Sequence, residues 1–313
     1  MIDVTLLGTA ALVPLPERAL TAALLTCGGR SILFDCGEGT QIAARRAGVS
    51  LMKADVIALT HYHGDHIFGL PGLLQTMSSL GRVDSLTITG PEGLEEALSP
   101  ILAMTGWITY PVRLMTLPGE GLPLCRLNRH WPELARLEAF PTFHRVVSQG
   151  YCFTLGRMGV FKPERARALG VPTAQWRLLQ SGRSVQVGDA TVSPKMVLGE
   201  PRKGLKFVFS GDTAPCEALV RAAEGADLLI CEATYGENEQ AALAAGHGHM
   251  IFAQAAEVAA RARVKRLWLT HYSQMIQDPQ ECLPNAAAVF PDARCGEDGM
   301  RMTLSFEQNG EQL

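Results

Sequence analysis

The sequence of 313 residues is longer than most single domains but short for two full ones, which predicts one large α/β domain. Hydrophobic residues make up 47% of the chain and charged residues 19%, a balance that excludes disorder for the bulk of it. The net charge of −3 excludes a protein that is basic overall. It is still compatible with a local basic patch, because binding to a polyanion depends on the charges at the contact.

Short apolar runs alternate with helical stretches along the chain, which is typical of an α/β fold. In the first part, strands are predicted at 2–7, 20–27, 31–34, 56–59 and 86–89, and helices at 38–47, at 67–80 and from the turn at 91–93. Further strands are predicted at 112–117, 134–140, 151–155, 206–209, 227–231 and 266–269, with a helix at about 250–262. The segment 156–204 contains four prolines and many arginines, and we expect an insertion that protrudes from the core.

The chain shows no sign of export or of membrane insertion. Its first residues lack a basic segment and include Asp3, which argues against a signal peptide, and no run of 18 apolar residues occurs. The eight cysteines are scattered without a Cys-x-x-Cys pair, which favours reduced thiols. We therefore expect a cytoplasmic protein that does not span a membrane.

Five predicted strands each lead into a polar group that could carry out chemistry. These groups are Asp35, His61, Asp212, Glu232 and His271. Because sites in open α/β sheets form at the carboxyl ends of strands, we predict that all five lie on one rim.

The segment Thr60–His66 places three histidines and one aspartate within six positions. Imidazole and carboxylate are the usual ligands of zinc-like ions. His61 and His63 can reach one ion from an extended loop, and the turn that Gly64 allows can aim Asp65 and His66 at a second. Only eight histidines occur in the chain, so a chance cluster of three is improbable.

Three more residues could complete such a centre, although each has an ordinary alternative. His144 could be an ordinary core or surface histidine, Asp212 could be a helix N-cap, and the role of His271 is equally ambiguous. The cluster at 61–66 leaves ligand positions open, which favours the metal role for all three. A carboxylate such as Asp212 can bridge two cations.

Thr60–His66 resembles the T-H-x-H-x-D-H motif of the metallo-β-lactamase fold superfamily. Four further strings and the 249–273 region are similar to its ribonuclease Z branch, and the similarity covers nearly the whole chain. The strings are FDCGEGTQ at 34–41, GLPGLL at 69–74, SGDT at 210–213 and EAT at 232–234. The resemblance implies a four-layer αββα sandwich, formed by a single domain at 1–313, in which 156–204 is an inserted arm that binds tRNA.

The resemblance also implies the roles of the site residues. The first zinc ion would be held by His61, His63 and His144. The second would be held by Asp65, His66 and His271, with Asp212 bridging the two zinc ions, which Mn²⁺ could replace. Asp65 would also accept a proton from the attacking water, and His249, oriented by Glu232, would donate one to the leaving oxygen. Without the resemblance, a helix-cap role for Glu232 and a solvated role for His249 would be favoured.

The implied reaction is hydrolysis of a phosphodiester in precursor tRNA by a zinc-dependent endoribonuclease, which removes the 3′ trailer and leaves a 3′-hydroxyl. The arm has a suitable charge, since six cations face only Glu164 between positions 157 and 183. A solvated loop is the alternative, and Trp176 could either stack on RNA or pack within the arm. The resemblance further implies a homodimer, in which one subunit's arm serves its partner's active site.

Other function classes have specific differences from this pattern. A two-metal hydrolase of small phosphodiesters or sulfate esters could share the fold, but it would not need a basic arm. A diiron redox protein would be expected to carry Glu in place of His63. An inactive RNA-binding scaffold would not need a complete ligand set.

Overall fold

The computed structural model describes residues 1–306, which form two seven-stranded mixed sheets and one small hairpin. The first sheet has the strand order β16-β1-β2-β3-β4-β5-β6 and contains β1 (Ile2–Gly8), β2 (Ala22–Cys27), β3 (Arg30–Phe34), β4 (Ala54–Ala58), β5 (Leu86–Thr89), β6 (Val112–Leu114) and β16 (Arg301–Leu304). The second has the order β15-β14-β13-β12-β9-β8-β7 and contains β7 (Leu122–Pro123), β8 (Ala135–Pro141), β9 (Gln149–Arg157), β12 (Arg202–Phe209), β13 (Leu228–Glu232), β14 (Leu267–Thr270) and β15 (Ala293–Cys295).

Each sheet is half antiparallel and half parallel. In the first sheet, β16, β1, β2 and β3 pair antiparallel, whereas β3 to β6 pair parallel. In the second, β12 to β15 are parallel and β7, β8, β9 and β12 are antiparallel. The hairpin between β2 and β3 turns at Gly28 and Gly29, whose φ angles of 61° and 78° are those that a two-residue turn between antiparallel strands requires.

Eleven α-helices lie in the described part of the chain. They are α1 (Thr40–Arg46), α2 (Gly64–Ile67), α3 (Leu70–Ser79), α4 (Leu94–Thr105), α5 (Pro163–Ala168), α6 (Trp176–Gln180), α7 (Pro194–Val197), α8 (Glu217–Ala223), α9 (Ala241–His247), α10 (Phe252–Arg261) and α11 (Pro279–Ala287). No helix within residues 1–306 combines the length and the apolar character needed to cross a membrane.

Three apolar clusters explain why the layers stack. The central cluster joins the inner faces of the two sheets, where the Phe34 ring lies 5.3 to 5.9 Å from the rings of Tyr151, Phe207 and Phe209. A second cluster packs α8, α10 and α11 on the second sheet, and a third packs α1, α3 and α4 on the first. Helix, sheet, sheet and helix therefore follow one another, and the predicted αββα sandwich is confirmed.

The helix predicted at 67–80 is present as α3 at Leu70–Ser79, but it begins three residues later than predicted because the short α2 ends at Ile67. The break between α2 and α3 falls at Phe68 and Gly69, where the Gly69 backbone N–H donates to the Cys36 carbonyl at 2.9 Å. A Cβ atom on Gly69 would overlap the Gly37 carbonyl oxygen, so only glycine allows this close approach. The break sets the direction of α2, which carries Asp65 and His66.

Most predicted strands are present with ends shifted by one to four residues. The elements after residue 269 were not predicted, namely α11, β15 and β16. Both strands are only three or four residues long, and neither forms a buried apolar run: β15 has an exposed residue at its centre, and only the last residue of β16 is buried. Such short segments carry little sequence signal.

The segment between β9 and β12 is more regular than its composition indicates. It contains α5, α6, α7 and the hairpin of β10 (Val185–Val187) with β11 (Ala190–Val192), packed around a small apolar cluster of its own. Arg157 and Arg202 are register partners at its base, so both sheet strands extend into the predicted 156–204 range. The division into one domain at 1–313 with an arm stays a prediction, and residues 307–313 lie outside the described part.

Candidate metal centre

The carboxyl ends of five strands bring their polar side chains together. β3 leads to Asp35, β4 to His61, β12 to Asp212, β13 ends at Glu232 and β14 leads to His271. Asp35 and His271 adopt positive φ angles of 56° and 61°, which are uncommon for residues other than glycine. At these two positions the left-handed backbone turns the chain out of the strand that precedes it. The five polar side chains meet at one rim, as the five-strand pattern predicted.

His61, His63 and His144 form the first group of possible ligands. His61 Nε2 lies 2.9 Å from His63 Nδ1, which lies 3.4 Å from His144 Nε2. Burial lowers the pKa of all three imidazoles, so they are neutral at neutral pH. Neutral imidazole is the form that binds metal ions.

Asp65, His66 and His271 form the second group, and Asp212 lies between the two groups. Asp65 Oδ2 is 3.5 Å from the Nε2 atoms of His66 and His271. Asp212 Oδ2 is 3.4 and 3.3 Å from the same two nitrogens, and 3.7 Å from His61 Nε2 in the first group. One carboxylate therefore contacts both groups.

The second group fits a cation because its atoms otherwise lack partners. Within residues 1–306, His66 Nε2, His271 Nε2 and Asp212 Oδ1 are buried without a hydrogen-bond partner. Buried unpaired polar atoms are costly, and nearly all are satisfied in folded proteins. Burial lowers the pKa of His66, but Asp212 and Asp35 outweigh it and raise the pKa well above its usual range. In the ion-free protein a proton thus supplies the positive charge that these carboxylates require.

In four of the histidines, the ring nitrogen that faces away from the centre lies within hydrogen-bonding distance of a neighbouring oxygen atom. The pairs are His61 Nδ1 with Thr60 Oγ1 at 3.0 Å, His66 Nδ1 with Asp35 Oδ2 at 2.8 Å, His144 Nδ1 with the Gly248 carbonyl at 2.9 Å, and His271 Nδ1 with Thr234 Oγ1 at 2.9 Å. Such outer contacts fix the ring orientation and the tautomer of metal ligands. Sequence reasoning noted Asp35 only as a strand end and did not name Thr60, Gly248 or Thr234 as supports. Asp35 had a signal in its position after a strand, whereas the others had none.

Glu232 and His249 lie beside both groups. Glu232 is 1% exposed and accepts from Thr213 N, Thr234 Oγ1, Met250 N and His249 Nδ1, the last at 2.8 Å. Burial lowers the pKa of His249, but the Glu232 charge outweighs it and raises the pKa to about 9. The His249 ring lies 4.9 Å from that of His144 and 5.5 Å from that of His271.

The two histidines near the start of α10 differ in their partners. His247 Nδ1 lies 2.6 Å from the hydroxyl of Tyr235, an arrangement on the outer side of the site. His249 instead contacts the buried Glu232 carboxylate. The structure thus places His249, and not His247, against the buried carboxylate beside the ligand groups, and the role of His249 as proton donor stays a prediction.

A loop between β1 and β2 reaches across the centre. Asp298 holds its base, accepting from Thr9 Oγ1 at 2.9 Å and from Ala19 N at 2.6 Å. At its tip the backbone N–H of Leu12, where φ is 61°, donates to Asp65 Oδ2 at 2.8 Å. The loop therefore helps to orient the same oxygen that faces His66 and His271.

All nine predicted site residues come together at this rim. Their contacts divide between the sheets: Asp65 and three histidines follow β4 of the first sheet, while His144, Asp212, Glu232, His249 and His271 belong to the second half of the chain. The donor set of imidazole and carboxylate, with unpartnered atoms facing one another, fits a divalent cation.

Comparisons with known proteins show the family of this chain. A family model described as anti-Pycsar protein Apyc1 matches residues 2–102, and one described as a beta-lactamase superfamily domain matches residues 160–272. Ribonuclease Z of Lachnoclostridium phytofermentans is 40% identical over 309 residues, which cover 99% of this chain and all of that protein. Ribonuclease Z of Lachnospira eligens is 39% identical over 312 residues, with 99% and 100% covered.

A solved structure is also similar over its full length. The crystal structure of human tRNase Z, short form, matches with a TM-score of 0.66 and 29% identity, covering 97% of this chain and 100% of that one. The two bacterial ribonuclease Z proteins are 39–40% identical to this chain over 99% of its length. The chain therefore belongs to the ribonuclease Z family of the metallo-β-lactamase fold.

Proposed function

We infer that the chain is an endoribonuclease that removes the 3′ trailer of precursor tRNA. It hydrolyses the phosphodiester at the end of the tRNA body and leaves a 3′-hydroxyl. Membership of the ribonuclease Z family supports the substrate class. The observation that carries the chemistry is the Glu232–His249 pair beside two ligand groups that share Asp212.

We propose that the centre holds two zinc ions, with Mn²⁺ as a possible substitute. His61, His63 and His144 would hold one ion, Asp65, His66 and His271 the other, and Asp212 both. When bound, such ions would lower the pKa of a water molecule to about 7 and offset charge on the phosphate oxygens. The second group would release the His66 proton on binding, since a ligand nitrogen must be unprotonated.

Two side chains of the protein then carry out the proton transfers, with Asp65 as the acceptor and His249 as the donor. Asp65 is acceptor-only when ionised, and its Oδ2 is aimed by the Leu12 N–H, so it can receive the proton of the attacking water. His249 supplies a proton to the leaving 3′ oxygen, because a pKa of about 9 keeps it protonated at neutral pH. Glu232 orients that ring through Nδ1, which leaves Nε2 to donate.

The arm between β9 and β12 is proposed to bind the tRNA body. Arg165, Arg167, Arg177 and Arg183 are exposed on it, and such charges bind phosphates. Trp176 packs within the arm, since its ring lies 5.1 Å from Phe161 and its Nε1 donates to the Val171 carbonyl. Base stacking by Trp176 is therefore not part of the proposal.

A homodimer in the cytoplasm is part of the same proposal. The Gln149 end of β9 is near the centre, as its N–H donates to the Thr60 carbonyl, whereas the arm begins after Arg157. Eight steps along a strand span about 26 Å. An arm that far from its own centre is well suited to serve a second copy.

The test compares cleavage of a precursor tRNA transcript with hydrolysis of a nitrophenyl phosphodiester. Because Arg157 and Arg202 are register partners, a two-glycine turn can replace 158–201 without breaking the sheet. We expect this variant to lose tRNA cleavage and to keep ester hydrolysis and zinc content. A variant with the arm intact and Arg165, Arg167, Arg177 and Arg183 changed to Gln is the matched control for charge.

Two outcomes would contradict the proposal. If the wild type hydrolyses the ester but leaves the tRNA intact, the chain is a small-molecule hydrolase on this fold. If removing the arm reduces both activities equally, the arm is structural and does not bind the substrate.

A further inference from the structure

An exposed aromatic ring stands next to a residue of the centre. Phe143 is 63% exposed, although it directly precedes His144, whose Nε2 faces His63. Phe143 therefore offers an apolar ring to solvent directly beside a residue of the first ligand group. The other large side chains of this segment, Val146 and Val147, are exposed as well.

Both backbone polar groups of Phe143 form hydrogen bonds to the segment that follows Asp212. Its N–H donates to Thr213 Oγ1 at 3.0 Å, and its carbonyl accepts from Ala214 N at 2.8 Å. Thr213 directly follows Asp212 and its own N–H donates to Glu232. The ring is thus presented to solvent from a backbone that is fixed relative to the centre, so little entropy is lost when a flat partner covers it.

Arg145 adds a charge on the same short segment. It is exposed, and no acidic side chain within residues 1–306 forms an ion pair with it. An aromatic ring and a guanidinium that flank the half-buried His144 in the chain match the two parts of a nucleotide. Aromatic rings stack on bases, and arginine binds phosphate.

The neighbours of His144 indicate which nucleotide would lie there. His144 Nδ1 contacts the Gly248 carbonyl, and its ring is 4.9 Å from the ring of His249. His249 is the proposed donor to the leaving oxygen, and Phe143 directly precedes His144, so the Phe143 backbone lies next to the leaving-group side of the centre. In this reaction the leaving 3′ oxygen belongs to the last nucleotide of the tRNA body.

We propose that Phe143 stacks on the base of the last nucleotide of the tRNA body and that Arg145 binds a backbone phosphate of the same RNA strand. This inference rests on the proposed function and adds a substrate-positioning residue that the reaction chemistry does not require. It makes Phe143 a contact for RNA and leaves metal binding unchanged.

The test is a cycle between protein and substrate changes. Wild type, Phe143→Leu and Phe143→Trp are assayed for kcat/KM on a precursor tRNA with all bases and on one that is abasic at the last nucleotide of the body. Phe143→Leu should lose roughly 5- to 150-fold on the complete substrate, the range for removal of a stacking ring. Phe143→Trp should keep the activity, and on the abasic substrate Phe143→Leu should equal wild type.

Two controls separate stacking from other effects. Val147→Ala trims a 61% exposed side chain on the same segment and should change nothing. A substrate that is abasic at the first trailer nucleotide should still show the full difference between wild type and Phe143→Leu. Zinc content of Phe143→Leu, measured by elemental analysis, should equal that of wild type.

Each contrary result has a distinct meaning. Equal losses on complete and abasic substrates, or loss of zinc, would overturn the stacking inference and assign Phe143 a structural role. Coupling to the first trailer nucleotide would overturn the assignment of the base. If the wild type does not cleave precursor tRNA at all, the proposed function itself fails.

Discussion

Replacing Asp35 with Asn tests whether a residue that touches no ion controls metal affinity. Asp35 is fully buried, and its carboxylate accepts from Thr60 N, from Thr60 Oγ1 and from His66 Nδ1 at 2.8 to 2.9 Å. Asparagine has the same shape and tolerates the left-handed backbone at this position, where φ is 56°. The substitution therefore removes the charge and one acceptor with little change in packing.

The size of the expected loss in metal affinity follows from the hydrogen-bond donors that surround the new amide group. Its NH₂ points either at the Thr60 N–H or at the His66 Nδ1–H, and either choice leaves a buried donor without an acceptor. That costs about 1–3 kcal/mol. Loss of an outer contact to a ligand histidine typically weakens metal binding by about 10- to 100-fold, or about 1.4–2.7 kcal/mol, which is the same range. We expect this loss at the ion held by Asp65, His66 and His271.

The measurement is competition for zinc between the metal-free protein and a chromophoric chelator, which resolves the two sites. Asp3→Asn is the matched control, because Asp3 is exposed on β1 and its carboxylate accepts only from Thr303 Oγ1 among the described contacts. Unchanged affinity at both sites would refute the reasoning. An equal loss at both sites, together with a lower melting temperature of the metal-free protein, would show general damage instead.

Three further predictions concern the proton donor and the core. His249→Ala should keep its zinc and lose roughly 10²- to 10⁴-fold in kcat, measured with elemental analysis beside kinetics; loss of zinc would assign it to metal binding. Burial lowers the pKa of His249 but the Glu232 charge outweighs it and raises the pKa to about 9, so kcat should fall as the pH rises through that value. Glu232→Gln should shift this fall in kcat to lower pH, and an unchanged pH profile would contradict the assignment. Asp55→Ala should lower the free energy of unfolding in urea by about 3–5 kcal/mol, because it removes the buried carboxylate that pairs with the buried Arg30 guanidinium and leaves only the exposed Asp84, 3.6 Å away, as an ionic partner. Asp84→Ala, which keeps the buried pair, should cost less than about 1 kcal/mol, and similar losses would contradict this account.

The α/β class and the rim could be predicted from the residues because both depend on local patterns, whereas the four-layer arrangement followed only from the family resemblance. Apolar runs of four to seven residues mark the central strands, and the polar residue after each run marks the sheet edge. The histidine cluster at 61–66 concentrates four candidate ligands in one segment, so no long-range information is needed to find it.

The features that the sequence did not predict depend on contacts between segments that are far apart in the chain. The break at Gly69 exists because the chain passes close to the Gly37 carbonyl, which no local pattern reveals. Thr234 supports His271 from 37 positions away, and Thr residues at such positions are too common to single out. The Leu12 amide acts through its backbone, so its side-chain identity carries no signal.

The division of the centre between the two sheets has a consequence for the order of folding. Ligands at 61–66 and ligands at 144, 212 and 271 meet only after the two sheets have joined over the central apolar cluster. Contacts so far apart in sequence form late, because long loops must close before they contribute. The proposed metal ions can therefore be held by both groups only in the last step of folding, and from then on they would slow the separation of the two sheets. If the ions are zinc, as proposed, chains newly made under zinc starvation should survive proteolysis for a shorter time than chains already loaded with the ion.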